Sequence, residues 1–172
     1  MAALNARRWP FLAFATTWLV FSVACGGPPA RTARPSKPLD DRRAEDVIAR
    51  AIADQRVQPV RGRTIELPGG KALRVDVAVA GHLYGVSYIS KNEASMMAGS
   101  LPKRNPRMAD ALQLVHGVGE DASARVILLY ADDYRYDGDQ GNDRESSSIA
   151  AERKLARDVR DFIVQAQAQK WP

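Results

Sequence analysis

The sequence predicts an α+β fold: a mostly antiparallel sheet of about five strands, packed by an amino-terminal helix and a long carboxy-terminal helix. Three observations carry this. Residues 40–57 and 146–170 place apolar side chains at helical spacing, while residues 64–90 alternate with period two. Turn sequences divide that alternating stretch into three short runs, and a further apolar run, RVILLYA, follows at Arg125–Ala131.

Taken in order, Ala44, Val47, Ile48, Ala51 and Ile52 follow the i, i+3, i+4, i+7, i+8 pattern of one buried helix face. Asp40 or Asp41 caps its start, and Pro59 ends it. Thr64–Leu67, Ala72–Ala80 and Leu83–Ser90 then read as a three-stranded meander, turning at Pro68-Gly69-Gly70 and Gly81-His82. In the middle strand Leu73, Val75, Val77 and Val79 are expected to point one way. In the third, Tyr84, Val86 and Tyr88 share a face.

Ser90-Lys91-Asn92-Glu93 has the form of a capping box, predicting a short helix through Met97 that ends at Gly99. Pro102–Pro106 is a basic loop with Lys103 and Arg104, and Arg107 follows. One helical turn is expected over Pro106–Ala111. Leu112–His116 fits either a continuation of it or a strand, which would form a later hairpin with Arg125–Ala131. The last helix buries Ile149, Leu155, Ala156, Val159, Phe162, Ile163 and Ala166.

The chain's 172 residues, 45% hydrophobic and 26% charged, suit one globular domain. The composition shifts along the chain, however. Residues 1–24 read as a signal peptide, 25–39 as a flexible proline-rich tether, and 40–172 as the single domain. The net charge of +5 includes Arg7 and Arg8. Without them 23 basic and 20 acidic residues remain, and Arg31, Arg34 and Lys37 of these lie in the tether. A near-neutral domain argues against a nucleic-acid partner, whose binding surface concentrates base. A single cysteine excludes an internal disulfide.

The first 25 residues have a basic start at Arg7-Arg8, an apolar middle at Phe11–Val23 and small residues at the end. The apolar run is about 13 residues, short of the roughly 20 that span a bilayer. It ends Ser22-Val23-Ala24-Cys25, which resembles the lipobox of bacterial lipoproteins. The resemblance covers residues 1–25 only and implies diacylglycerol on the Cys25 thiol, with cleavage on its amino side. Ala24 and Val23 fit; Ser22 stands where that family prefers leucine. Ser-x-Ala also satisfies ordinary signal peptidase at the same bond, which would leave a soluble chain with a free thiol. An uncleaved anchor is a third reading. Gly26 is not the aspartate that marks inner-membrane retention in such lipoproteins, so the resemblance implies the outer membrane. In each case the body lies outside the cytoplasm.

Candidate chemistry concentrates after Tyr130. Asp132–Glu145 holds six acids and two arginines. Asp137, Asp139, Asp143 and Glu145 are hard oxygen donors at short spacing, a set that suits Ca²⁺. The EF-hand spacing fails because Gly141 takes the third ligand position, and such residues are equally those of a solvated turn. Otherwise no cofactor is expected. Tyr130, Tyr134 and Tyr136 would project from one face if the strand continued, placing Tyr134 and Tyr136 to stack on a sugar or peptide; alternatively they pack beneath the terminal helix. His82 and His116 lie beside turns with no G-x-S-x-G or H-E-x-x-H to supply a nucleophile or metal. Asp76 and Lys91 fall short of a nuclease site because Ile89 occupies the position of its second acid.

The sequence therefore points to a membrane-anchored envelope lipoprotein with a non-catalytic binding or structural role, whose partner is an envelope protein or the cell wall. The alternative is an envelope hydrolase using acids of Asp132–Asp143, with His116 and a metal.

Overall fold

The computed structural model describes residues 36–103, 112–137 and 142–172, with side chains from residue 147 onward in the last segment. The chain runs β1 (Ser36–Pro38), α1 (Asp41–Ala53), β2 (Pro59–Leu67), β3 (Lys71–Val79), β4 (Tyr84–Ile89), α2 (Lys91–Met96), β5 (Gln113–His116), β6 (Arg125–Tyr130), β7 (Arg135–Asp137) and α3 (Asn142–Ala168). The class is α+β. The strand order of the main sheet is β2-β3-β4-β6-β5, and β1 pairs with β7 in a separate two-stranded ribbon.

The meander β2-β3-β4 is antiparallel, as is the β5–β6 pair. However, β6 lies parallel to β4, with Tyr84 opposite Arg125 and Ile89 opposite Tyr130. The sheet is thus mixed rather than purely antiparallel. The chain leaves β4 through α2, forms β5 at the outer edge, and then inserts β6 between β5 and β4. Of Leu112–His116, Gln113–His116 form a strand, whereas the helical turn expected over 106–111 lies outside the described residues.

Both predicted caps form. Asp40 accepts the Arg43 amide at the start of α1, and Ser90 and Glu93 bond each other's backbone amides at α2. The apolar face of α1 (Ala44, Val47, Ile48, Ala51, Ile52) packs with Leu155, Val159, Phe162 and Ile163 of α3 over one face of the sheet. Tyr84, Val86, Tyr88, Ile127 and Leu129 meet them from below. A second core, on the other face, contains Ile65, Leu67, Leu73, Val75, Ala78, Ile89, Val115, Val126 and Leu128.

Strand β3 serves both cores, against the expectation that its four apolar residues share a face. Leu73 and Val75 lie in the second core, whereas Val77 and Val79 lie beneath the helices. The alternation breaks at Asp76. Pairing with β2 covers 59–61 against 77–79 and 63–67 against 71–75, and Gly62 falls in the gap with φ +82°. A left-handed backbone there suits glycine and lets the ribbon turn over. From the same point β3 parts from β4, with which only Val77–Val86 and Ala78–Gly85 are in register. Gly85 allows the close approach, since a Cβ there would meet the Val75 Cγ1 at 2.6 Å.

Side chains replace the lost ladder bonds. The Tyr88 amide donates to Asp76 Oδ2 at 2.7 Å, and Ser87 Oγ donates to the Arg74 carbonyl at 2.7 Å. The freed half of the β2–β3 ribbon curls across the sheet until β2 meets the β5–β6 connection. There the Val118 amide donates to the Glu66 carbonyl at 2.8 Å, the Glu66 amide to Asp121 Oδ2 at 3.2 Å, and Arg63 pairs with Asp121 at 3.2 Å. The curled ribbon covers one end of the second core, and α2 with residues 97–101 covers the other through Ala94, Met97 and Leu101.

Ser36–Leu39, which composition assigns to the tether, pack as structure. Leu39 is 1% exposed; its amide donates to the Tyr134 carbonyl at 3.1 Å, and its carbonyl accepts the Tyr88 hydroxyl at 3.0 Å. Leu39→Ala is expected to cost about 2–5 kcal/mol in urea unfolding, as for other fully buried leucines, where a tether residue would cost nothing.

Asp76 generates a second prediction. Burial, then the nearby Glu93 and Glu45, pushes its carboxyl above the ordinary 3.8, although the Tyr88 amide and Arg74 pull the other way. The folded state therefore takes up a proton more readily than the unfolded chain. That stabilisation is complete below pH 3.8 and is lost as pH rises through the folded value. Asp76→Asn keeps an acceptor for Tyr88 and should flatten this part of the stability–pH curve. Asp76→Ala leaves a buried amide unpaired and should cost about 1–3 kcal/mol at every pH, measured by urea denaturation across the acid range.

Candidate functional site

Tyr134 and Tyr136, the two candidates for stacking on a ligand, are buried. After β6 the strand does not continue: Ala131–Asp133 form a single 3₁₀ turn, which redirects the chain. Tyr130 consequently packs on the second core, while Tyr134 and Tyr136 enter the first at 3% and 6% exposure. The three rings therefore do not share a face. The Tyr134 hydroxyl donates to Asp158 Oδ2 at 2.9 Å, and the Lys154 ammonium lies 4.5 Å from its ring centre. Burial and the adjacent Asp158 carboxylate push the Tyr134 phenol far above its usual range, so it remains a donor. The Lys37 ammonium covers Tyr136 at 5.2 Å.

Of the four oxygen donors considered for Ca²⁺, Asp137 is the last residue of β7 and half-buried, and its amide donates to Ser147 Oγ at 3.2 Å. Asp139 and the side chains of Asp143 and Glu145 lie outside the described residues. Among the described residues no group of three or more His, Cys, Asp and Glu side chains gathers as a metal site. Cys25 likewise lies outside them.

The sheet register separates the histidines from the acids. His116 pairs with Arg125 at the amino end of β6, and His82 precedes β4 at the same end, stacked on Tyr84 with ring centres 4.8 Å apart. Asp132 and Asp133 follow the carboxyl end of β6. Five strand residues intervene, roughly 17 Å at strand rise. A His116–Asp132 or His116–Asp133 pair is therefore ruled out by the fold.

A second polar patch brings Glu45 and Asp46 of α1 to the β2–β3 ribbon. Arg61 lies 3.3 Å from Glu45 and 2.5 Å from Asp46, and Arg74 lies 3.4 Å from Asp76 and 3.9 Å from Glu45. Arginines occupy the space between these acids, so the patch braces the ribbon against the helix.

The feature with the shape of a binding site lies at the carboxyl ends of β4 and β6. There the parallel pair leaves a crevice of about 470 Å³ between Ile89, Tyr130 and Asp132 on one side and α2 with residues 98–103 on the other. Parallel strands expose such crevices because the chain departs from them in different directions, here into α2 and into the 3₁₀ turn. Its walls are mostly apolar, with Ala94, Ala98, Leu101 and Pro102, and its rim carries Lys91, Lys103 and Asp132. Asp132 is engaged by Arg135 Nη1 at 2.6 Å, which leaves the two lysines as its uncompensated charge among the described residues. Met96, at the end of α2, is 69% exposed.

The Arg135 guanidinium also links this rim to the start of the described chain. Its Nε donates to Ser36 Oγ at 3.1 Å and its Nη2 to the Ser36 carbonyl. Sequence reasoning placed neither the crevice nor this link. The crevice depends on β6 lying parallel to β4, and the link depends on β1; local patterning signals neither. No protein family, curated protein or solved structure matches the chain.

Tyr134→Phe removes the bond to Asp158 from a buried ring. It is expected to cost about 1–3 kcal/mol in chemical denaturation while the crevice, which Tyr134 does not line, keeps any ligand affinity.

Proposed function

We propose that this chain is a bacterial envelope lipoprotein, held at a membrane by a lipid on Cys25, with a folded body that binds a partner there rather than catalysing a reaction. The observation that carries the reading is the order of residues 1–25: Arg7-Arg8, an uncharged apolar run, then Ser22-Val23-Ala24-Cys25. Among the described residues no helix is long and apolar enough to cross a membrane, so in this reading the lipid is the anchor. The outer membrane is the destination, following the lipoprotein pattern that Gly26 fits. The crevice between α2 and the carboxyl ends of β4 and β6 is the binding feature we assign to the body.

The anchor is tested by the intact mass of the protein recovered from the membrane fraction. The expected mass is that of a chain beginning at Cys25 plus a diacylglyceryl or triacyl group, and Cys25→Ser should abolish both processing and membrane retention. An unmodified chain beginning at Cys25 would overturn the anchor and make the protein a soluble exported one.

A further inference from the structure

We propose that the crevice between α2 and the carboxyl ends of β4 and β6 is a docking surface for the anionic phospholipid headgroups of the membrane to which the protein is tethered. The proposal rests on the lipid-anchor reading above and adds to it which face of the body meets the bilayer.

The first argument is placement. The chain enters the described structure at Ser36, and one guanidinium, that of Arg135, bonds both Ser36 and Asp132 on the crevice rim. The point at which a tether arrives and the mouth of the crevice are therefore neighbours. Ten residues separate Cys25 from Ser36. The eleven Cα-to-Cα steps from Cys25 to Ser36, at 3.3–3.6 Å each, reach at most about 40 Å, so a lipid on Cys25 bounds how far this end of the sheet can stand from the headgroups.

The second argument is chemistry. Among the described residues the rim presents two cations, Lys91 and Lys103, and one acid, Asp132, which is already held by Arg135. Between and beside them stand Ala94, Ala98, Leu101 and Pro102. Base next to apolar surface is the composition that an anionic interface attracts: phosphates take the ammonium groups and acyl-chain methylenes take the side chains between them. The groove between α1 and α3 presents Arg50 and Arg153 together with Asp54 and Glu152, a balanced set without that bias. Long flexible lysine stems suit headgroups, which offer phosphates at variable depth and no fixed bidentate geometry.

The test uses the mature chain from Cys25, coupled through its thiol to a maleimide lipid, so that anchoring is imposed and failure of the biological anchor cannot mimic failure of the crevice. Amide exchange is compared on phosphatidylcholine vesicles with and without phosphatidylglycerol. On the anionic vesicles, amides of Lys91–Lys103 should exchange several-fold more slowly, and raised salt should reverse the effect. Lys91→Glu with Lys103→Glu should abolish it while leaving circular dichroism unchanged. Should that variant misfold, Lys91→Gln with Lys103→Gln and the salt series on the unaltered chain give the same readout. Equal exchange on both vesicles, protection confined to α1 and α3, or protection indifferent to salt would overturn the proposal. So would protection of 91–103 that appears only when envelope protein or cell-wall material is added.

Discussion

The structure hangs on the reversal of the β2–β3 ribbon at Gly62 and Asp76. An antiparallel ribbon with unbroken alternation would present Leu73, Val75, Val77 and Val79 to a single layer, and the other side of the sheet would need its own helices. Among the described residues there are none to give. With α1 and α3 on one face, the six residues of α2 and the segment after it are what the described residues offer the other. Turning the ribbon over supplies the missing cover from the sheet itself. Its outer half folds back, buries Ile65, Leu67, Leu73 and Val75, and fastens to the β5–β6 connection through Glu66, Arg63 and Asp121. A side-chain acceptor is what makes this tolerable, because Asp76 meets the Tyr88 amide that the departing strand would otherwise leave unpaired.

The local chemistry of the sequence was a good guide to local structure. The cap at Asp40, the capping box at Ser90, the shared face of Tyr84, Val86 and Tyr88 and the apolar stripe of α1 all follow from spacing alone, since each concerns residues within a few positions of one another. The failures share the opposite character. Nothing near Ser36–Pro38 announces a strand, because its partner, β7, is a hundred residues away and itself only three residues long. Nothing in RVILLYA distinguishes a parallel neighbour from an antiparallel one. The face change in β3 was visible only in part: Asp76 interrupts an otherwise apolar alternation, but the glycine that permits the turn lies in the other strand.

The same division explains the site. Tyrosines and acids crowd into residues 130–145, and composition draws attention to them. Tyr134 and Tyr136 are nevertheless spent on the core, with Lys154 and Lys37 laid over their rings. The crevice instead uses plain residues from two separated stretches: 89–103, which runs from the end of β4 through α2 and the loop after it, and 130–132 at the end of β6. Its lysines are individually unremarkable in sequence. The parallel placement of β4 and β6 sets Tyr130 and Asp132 across the opening from them.

The short β1–β7 ribbon has a mechanical meaning. A load carried by the chain before Ser36 would enter the body there, since Ser36 is the outermost rung of the ribbon, opposite Asp137. A load across the strands would part the rungs one after another, beginning with the Arg135 contacts and stopping at Leu39, whose side chain is sealed in the core and whose amide and carbonyl are both bonded. Under such a load, release of Ser36–Pro38 would free roughly 10 Å of chain at three extended residues. Leu39 then acts as the stop that keeps such a pull from reaching the cap of α1.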